Sequence, residues 1–176
     1  LAGDGYGWSV SMPDSNTVAI SAHDASPNSY VKVFSWNGVD WTQKGNTIIG
    51  PYGGGYKVKM PDANTIAVSC GWSNNSQGTV KVYKWNGGNW IQKGSDINGL
   101  SQNYALGWDL SMPNENLICI GAYNSINGNN TGKIHIYKWI NQSWQQIGLI
   151  NGEHAGDFFG YTCDMPNENY VAIGAP

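Results

Sequence analysis

The stretch Thr79-Val80-Lys81-Val82-Tyr83-Lys84-Trp85-Asn86-Gly87-Gly88-Asn89-Trp90 decides how the whole chain is read. Its first seven residues are rich in β-branched and aromatic side chains, which suit a pleated strand. Asn86-Gly87 is a tight-turn signal, because both residues tolerate the left-handed backbone that a hairpin turn needs. A second strand then runs from Trp90 to Gly94. Within the first strand Val80 and Val82 share one face, and Lys81, Tyr83 and Trp85 share the other. Large apolar groups on both faces are expected of a sheet packed between two similar sheets.

Working outward, the pair of tryptophans five apart recurs. Trp36 and Trp41, Trp85 and Trp90, and Trp139 and Trp144 follow one another at intervals of 49 and 54. Met-Pro recurs at Met12-Pro13, Met60-Pro61, Met112-Pro113 and Met165-Pro166, at intervals of 48, 52 and 53. Two independent anchors in one phase define a repeat of about 50 residues. Each period reads as four strands. The first copy has Gly7–Met12, closed by a proline that cannot donate to a ladder, then Thr17–Ser21, Tyr30–Trp36 and Trp41–Gly45. Between the first two, Pro13-Asp14-Ser15-Asn16 is a turn, since proline presets φ and Asp and Asn bond their own backbone. The later copies give Thr65–Ser69, Thr79–Trp85 and Trp90–Gly94, then Leu117–Gly121, Lys133–Trp139 and Trp144–Gly148.

A four-stranded antiparallel unit of this length, apolar on both faces, predicts an all-β fold of β-propeller blades. The coils of a β-solenoid are shorter than this period. The blades fall at about residues 3–50, 51–100 and 101–154, with the first two strands of a fourth at 155–176. Propellers close with roughly four to eight blades. The 176 residues therefore read as a window on a longer polypeptide, or as a chain whose missing strands come from another.

Composition narrows the function. Charged residues make up 12% of the chain, against 24 Gly, 10 Tyr and 9 Trp, the opposite of a disordered chain. Net charge is -3 and all nine basic residues are lysine, so no guanidinium fork exists to read phosphates or base edges. No stretch approaches the ~20 apolar residues of a membrane-spanning helix. No signal peptide is visible, but the chain begins at Leu1 rather than Met, which leaves room for an upstream segment. Cys70, Cys119 and Cys163 cannot all pair with one another, and their spacings fit no zinc pattern. Each stands where other copies have a small or apolar residue, which predicts buried, unreactive thiols.

The fourth copy contains Gly156-Asp157-Phe158-Phe159-Gly160 and then Gly174-Ala175-Pro176. The first has Gly3-Asp4-Gly5-Tyr6-Gly7 and Ser21-Ala22-His23; the third has Leu106-Gly107 and Gly121-Ala122-Tyr123. On these strings the chain resembles FG-GAP repeat propellers, including the integrin-α head. It is closer still to tandem repeats of large secreted or surface proteins of bacteria, which share the Trp-Asn-Gly-x-x-Trp turn. The resemblance implies a propeller, an extracellular or cell- or virion-surface location, and a role in adhesion or architecture. It also makes calcium possible, but the calcium loop motif is absent. Loops 23–29, 71–78 and 123–132 hold Asp24 as their sole carboxylate, and calcium affinity follows the count of charged oxygens. The expectation is therefore no cofactor and no metal.

No nucleophile or catalytic constellation converges, so the chain reads as a non-enzyme. His135 matches Lys32 and Lys81 and is expected on a polar sheet face; His154 is expected in a solvated loop. His23-Asp24 lacks a partner at useful spacing. Asp4 and Asp157, at matching positions, suggest a structural hydrogen-bonding role. The tryptophan pairs read as packing between blades. Trp72 and Tyr123 begin variable loops, where aromatics could stack on sugars, and loops carry most binding sites. Asn74, Asn129 and Asn141 head Asn-x-Ser/Thr sequons, and Asn74 and Asn129 fall in equivalent exposed loops. The leading expectation is a non-catalytic recognition or architectural module of a larger surface, adhesin-like or filament protein. Its partners would be other protein chains or further blades, and possible glycans. The alternatives are a carbohydrate-binding, lectin-like propeller and an accessory domain of a polysaccharide-active enzyme.

Overall fold

A computed structural model describes residues 3–25, 27–50, 57–71, 73–123 and 129–176. They form an all-β chain of four antiparallel sheets with five, five, four and two strands. The first sheet holds β1 (Tyr6–Asp14), β2 (Thr17–Ala22), β3 (Tyr30–Trp36), β4 (Trp41–Gln43) and β5 (Ile48–Ile49). The second holds β6 (Val58–Asp62), β7 (Thr65–Ser69), β8 (Thr79–Trp85), β9 (Trp90–Gln92) and β10 (Ile97–Asn98), with the one-turn helix α1 (Ser73–Ser76) before β8. The third has β11 (Leu110–Asn114), β12 (Leu117–Ala122), β13 (Lys133–Ile140) and β14 (Ser143–Asn151); the fourth has β15 (Thr162–Asn167) and β16 (Tyr170–Gly174). Strand order follows chain order, as in a run of hairpins: β1-β2-β3-β4 and β11-β12-β13-β14.

Two details correct the sequence reading. Met-Pro does not end the first strand. β1 continues through Met12 and Pro13 to Asp14, with a register shift between Ser11 and Asp14. The shift recurs in β6, β11 and β15, so each proline lies in an irregularity where a missing N–H costs no ladder bond. The turn that follows has two residues, fixed by an Asx bond: Asp14 Oδ1 accepts from Asn16 N at 2.7 Å, as Asp62 Oδ1 does from Asn64 N. The second correction concerns the fourth strand, which in the first two sheets breaks after Gln43 and Gln92 and resumes as β5 and β10. In the third sheet it runs unbroken and absorbs Ile147 as a bulge between the pairs Ile136↔Gly148 and Tyr137↔Gln146.

The core lies between sheets, as the two-faced pattern requires. Ala19, Val31, Val33 and Ile48 of the first sheet meet Val58, Met60, Ile66, Val68 and Trp90 of the second. Ala67, Val80, Val82 and Ile97 then meet Leu110, Met112, Ile118 and Ile120 of the third. Cys119 and Ile134 meet Cys163 and Met165 of the fourth. The first strands also bond across these contacts. Ser9 and Ser11 Oγ accept from the backbone N–H of Val58 and Met60, at 3.1 and 2.9 Å. Asp109 Oδ2 and Ser111 Oγ do the same for Cys163 and Met165, at 2.9 and 2.8 Å. Between the second and third sheets lysines 57 and 59 occupy the serine positions, and Lys57 pairs instead with Asp109 at 3.6 Å. All three cysteines are free and buried. Hydrogen bonding with Cys119, then burial, push the Cys163 thiol up, which keeps it protonated and inert.

Two of the three tryptophan pairs sit between sheets as expected, whereas Trp36 and Trp41 are 39% and 42% exposed. Trp90 Nε1 donates to the Lys44 carbonyl at 2.8 Å, and Lys44 Nζ lies 5.2 and 5.6 Å from the Trp85 and Trp90 rings. Trp144 Nε1 donates to the Lys93 carbonyl at 2.9 Å, with Lys93 Nζ 5.1 and 5.5 Å from the Trp139 and Trp144 rings. The glycine after each lysine is forced: a Cβ on Gly45 or Gly94 would run into the six-membered ring of Trp85 or Trp139.

His135 is not on a polar face. It is 2% exposed, although Lys32 and Lys81 at the matching positions remain partly exposed. Tyr104, from the segment leading into the third sheet, lies against it with its hydroxyl 2.7 Å from Nε2. Nδ1 stands 3.2 Å from Gln146 Oε1, so Nδ1–H donates there and Nε2 accepts the Tyr104 proton. The neutral imidazole is fully satisfied, which is what allows it to be buried.

Candidate aromatic site

In the first, third and fourth sheets the first strand is entered by a loop that alternates in backbone handedness. φ is positive at Gly3, Gly5 and Gly7, at Asn103, Ala105 and Gly107, and at Gly156, Phe158 and Gly160. At Phe158 (φ 50°) the left-handed region is taken by a bulky aromatic, which costs of order 1–3 kcal/mol. Neighbouring chain holds it there: Asn129 O, Asn130 O and Thr131 O accept from the N–H groups of Gly156, Phe158 and Phe159, at 2.8, 2.9 and 3.1 Å.

The loops before β11 and β15 and the ends of β12 and β16 meet at one rim. There Trp108, Tyr123, Phe158, Tyr161 and Pro176 line an open recess of about 480 Å³. Trp108 is the pivot, its ring centroid 4.4 Å from Tyr123 and 5.5 Å from Tyr161, while Tyr123 lies 6.1 Å from Phe158 and 5.9 Å from Tyr161. The rings are tilted or edge-to-face, the arrangement their quadrupoles favour. Tyr161 is 40% exposed. The surface is apolar with phenol and indole handles at its margin, suited to stacking on a flat or alternately apolar ligand.

Of the sequence-derived candidates, Tyr123 belongs to this recess, and Trp72 lies outside the described residues. Asn129 is exposed beside the Phe158 loop, and Asn141 is exposed in the hairpin turn between β13 and β14. Asn74 falls on α1, and its side chain lies outside the described residues. Trp108, Phe158 and Tyr161 were not singled out from sequence. Their signal was present: an aromatic follows the loop glycine in every copy, at Trp8, Tyr56, Trp108 and Tyr161. In the first copy Trp8 stacks on His23 at 5.0 Å.

The polar candidates have local partners. Asp4 Oδ2 accepts from the Tyr30 hydroxyl at 3.4 Å, and Asp157 Oδ2 accepts from His154 N at 2.8 Å, structural roles of the kind expected. His23 Nε2 lies 3.6 Å from Asp24. Among the described residues no three His, Cys, Asp or Glu side chains gather as a metal site would require. No helix among them is long and apolar enough to cross a membrane. Comparison with protein-family models finds none that matches, and comparison with curated proteins finds no match.

Proposed function

We propose that the chain is a run of β-propeller blades of the FG-GAP, integrin-α-like kind. It would serve as a non-catalytic recognition module of a larger extracellular or surface protein. The supporting observation is the aromatic recess. Rings from two sheets converge on one rim, and one of them, Phe158, is held in a backbone conformation that glycine would adopt without cost. Strain of this kind is retained where a side chain is needed in one place. Binding sites placed on loops over a rigid scaffold follow the same logic. The order of the sheets and the repeated contact between first strands support the propeller reading.

A second reading, a carbohydrate-binding propeller, is favoured by the open, tilted ring pair Trp108–Tyr123, whose apolar faces suit the C–H face of a sugar. The test is an array carrying glycans and extracellular-matrix proteins, probed with wild-type protein and Phe158→Gly. Retention of one ligand class by wild type and its loss in Phe158→Gly, with the melting temperature preserved, supports recognition at this rim. Equal signals from both proteins would remove the recess from the argument. A protein hit without glycan binding would leave the first reading and dismiss the second.

A further inference from the structure

The seam between the second and third sheets differs from the seam before it at a few aligned positions. Lys44-Gly45-Asn46-Thr47-Ile48-Ile49 of the first copy corresponds to Lys93-Gly94-Ser95-Asp96-Ile97-Asn98 of the second. Asn46 plugs the first seam, where its Oδ1 accepts from the backbone N–H of Trp90 at 2.7 Å. Trp90 stands opposite Trp85, next to a turn closed by Asn86 and Asn89. Trp144 stands opposite Trp139, next to a turn closed by Ile140 and Ser143. The two hairpins share this register, so the Trp144 N–H leaves its strand on the same side as that of Trp90. Ser95 takes the place of Asn46 and is shorter by the carboxamide. In place of the plug is a recess of about 190 Å³, whose walls include Ser95, Asp96, Ile97, Asn98, Tyr137 and Trp144.

The walls are held by bonds of their own. The Trp144 indole is pinned by its Nε1 bond to the Lys93 carbonyl, at 2.9 Å. Asp96 accepts from Lys81 Nζ at 3.0 Å and from Gln92 Nε2 at 2.8 Å. Asn98 Oδ1 accepts from Thr79 Oγ1 at 2.9 Å, which fixes the carboxamide and leaves Nδ2 as a donor. Asp96 and Asn98 replace Thr47 and Ile49, so polar groups enter the seam where the plug is lost. An apolar wall with a few fixed polar groups is the usual make-up of a small-ligand site. We propose that this recess binds an N-acetylhexosamine. The plug of the first seam supplies the argument, since it shows that a carboxamide fits there with its oxygen on the tryptophan N–H. An acetamido group carries the same carbonyl and adds a methyl, for which Ile97 and the Tyr137 ring are an apolar wall. Sugar hydroxyls would then meet Asn98 Nδ2 as a donor and the spare lone pairs of the Asp96 carboxylate as acceptors. The site lies between two four-stranded repeats, apart from the aromatic rim, so failure of either leaves the other standing.

The probe is methyl N-acetyl-β-glucosaminide, titrated into the isotope-labelled 176-residue chain and followed by backbone amide shifts in NMR. Saturable shifts are expected at Trp144 and its neighbours, and none at Trp90, whose N–H is already taken. Methyl β-glucoside lacks the acetamido group and is expected to bind at least roughly tenfold more weakly. Ser95→Asn restores the plug of the first seam and should abolish binding, with the melting temperature unchanged or higher. Asn98→Ala should weaken binding by about two- to tenfold, the loss of one hydrogen bond. Absence of saturable shifts at Trp144 in the wild-type protein overturns the proposal. So does equal binding of the two glycosides, or binding that survives Ser95→Asn. Shifts produced by a glutamine-bearing tripeptide and not by the glycoside would mark a peptide site and overturn it as well. Phe158→Gly should leave the titration unchanged; its loss in that variant would place the sugar at the aromatic rim instead and overturn the assignment.

Discussion

At the scale of single residues, the same sequence position acquires different physics in different copies. Lys32, Lys81 and His135 are equivalent, yet only His135 is buried, because Tyr104 and Gln146 satisfy both ring nitrogens. Burial lowers the His135 pKa from 6.5; the Gln146 bond opposes this and the nearby Lys133 charge adds to it. Burial raises Tyr104 from 10.0 to about 12. Both groups are held neutral, so the sign runs the same way for each: the unfolded chain gains the charge first. Their contribution should be flat between about pH 6.5 and 10. It should fall as pH drops below 6.5, until the lowered folded pKa is reached, and fall again as pH rises from 10 toward 12. The Cys163 thiol, raised from 9.0 by its Cys119 bond and burial, adds a decline that begins at about pH 9. Urea midpoints across this range check it, and His135→Gln should flatten the acidic limb. Phe158→Gly should leave stability within about 1 kcal/mol of wild type, since relieved backbone strain offsets the lost ring contact. Native protein should show no thiol reactive toward a disulfide reagent, and three after denaturation.

At the scale of elements, the contacts between first strands are the most specific links from sheet to sheet. Ser111 is buried, accepts from Met165 N–H and donates to Asp164 Oδ1 at 3.1 Å. Ser111→Ala would leave a buried backbone donor unpaired and should cost about 1–3 kcal/mol by urea denaturation. Gly94→Ala should cost roughly 3 kcal/mol, because it combines a positive φ with intrusion into the Trp139 ring. How much was legible differs by element. The strands showed in sequence because alternation and Asn-Gly turns are local. The continuation of β1 past Met-Pro did not, because a bulge depends on what the partner strand offers. Nor did the break between β4 and β5, which is set by the neighbouring sheet's tryptophans closing on Gly45.

For the whole molecule, protection is set by how many faces each sheet has covered. The second and third sheets are covered on both. The first exposes Trp8, Val10 and Met12 at 52%, 55% and 55%, whereas Met60 and Met112, which match Met12, are 7% and 6% exposed. Hydrogen exchange should be slowest in β7 and β12 and fastest in β16 and β1, because opening free energy follows local burial. Chelation should leave the melting curve unshifted, since the loops lack the charged oxygens calcium needs. The sequence by itself determined the repeat, the all-β class and the tryptophan pairs. Those depend on periodicity and on turn chemistry, both readable within a few residues. Only the tertiary structure decided that His135 is buried and that Trp108, Tyr123, Phe158 and Tyr161 share one rim. Each of these depends on which residues from copies about 50 positions apart face one another, and that is fixed by the stacking of sheets.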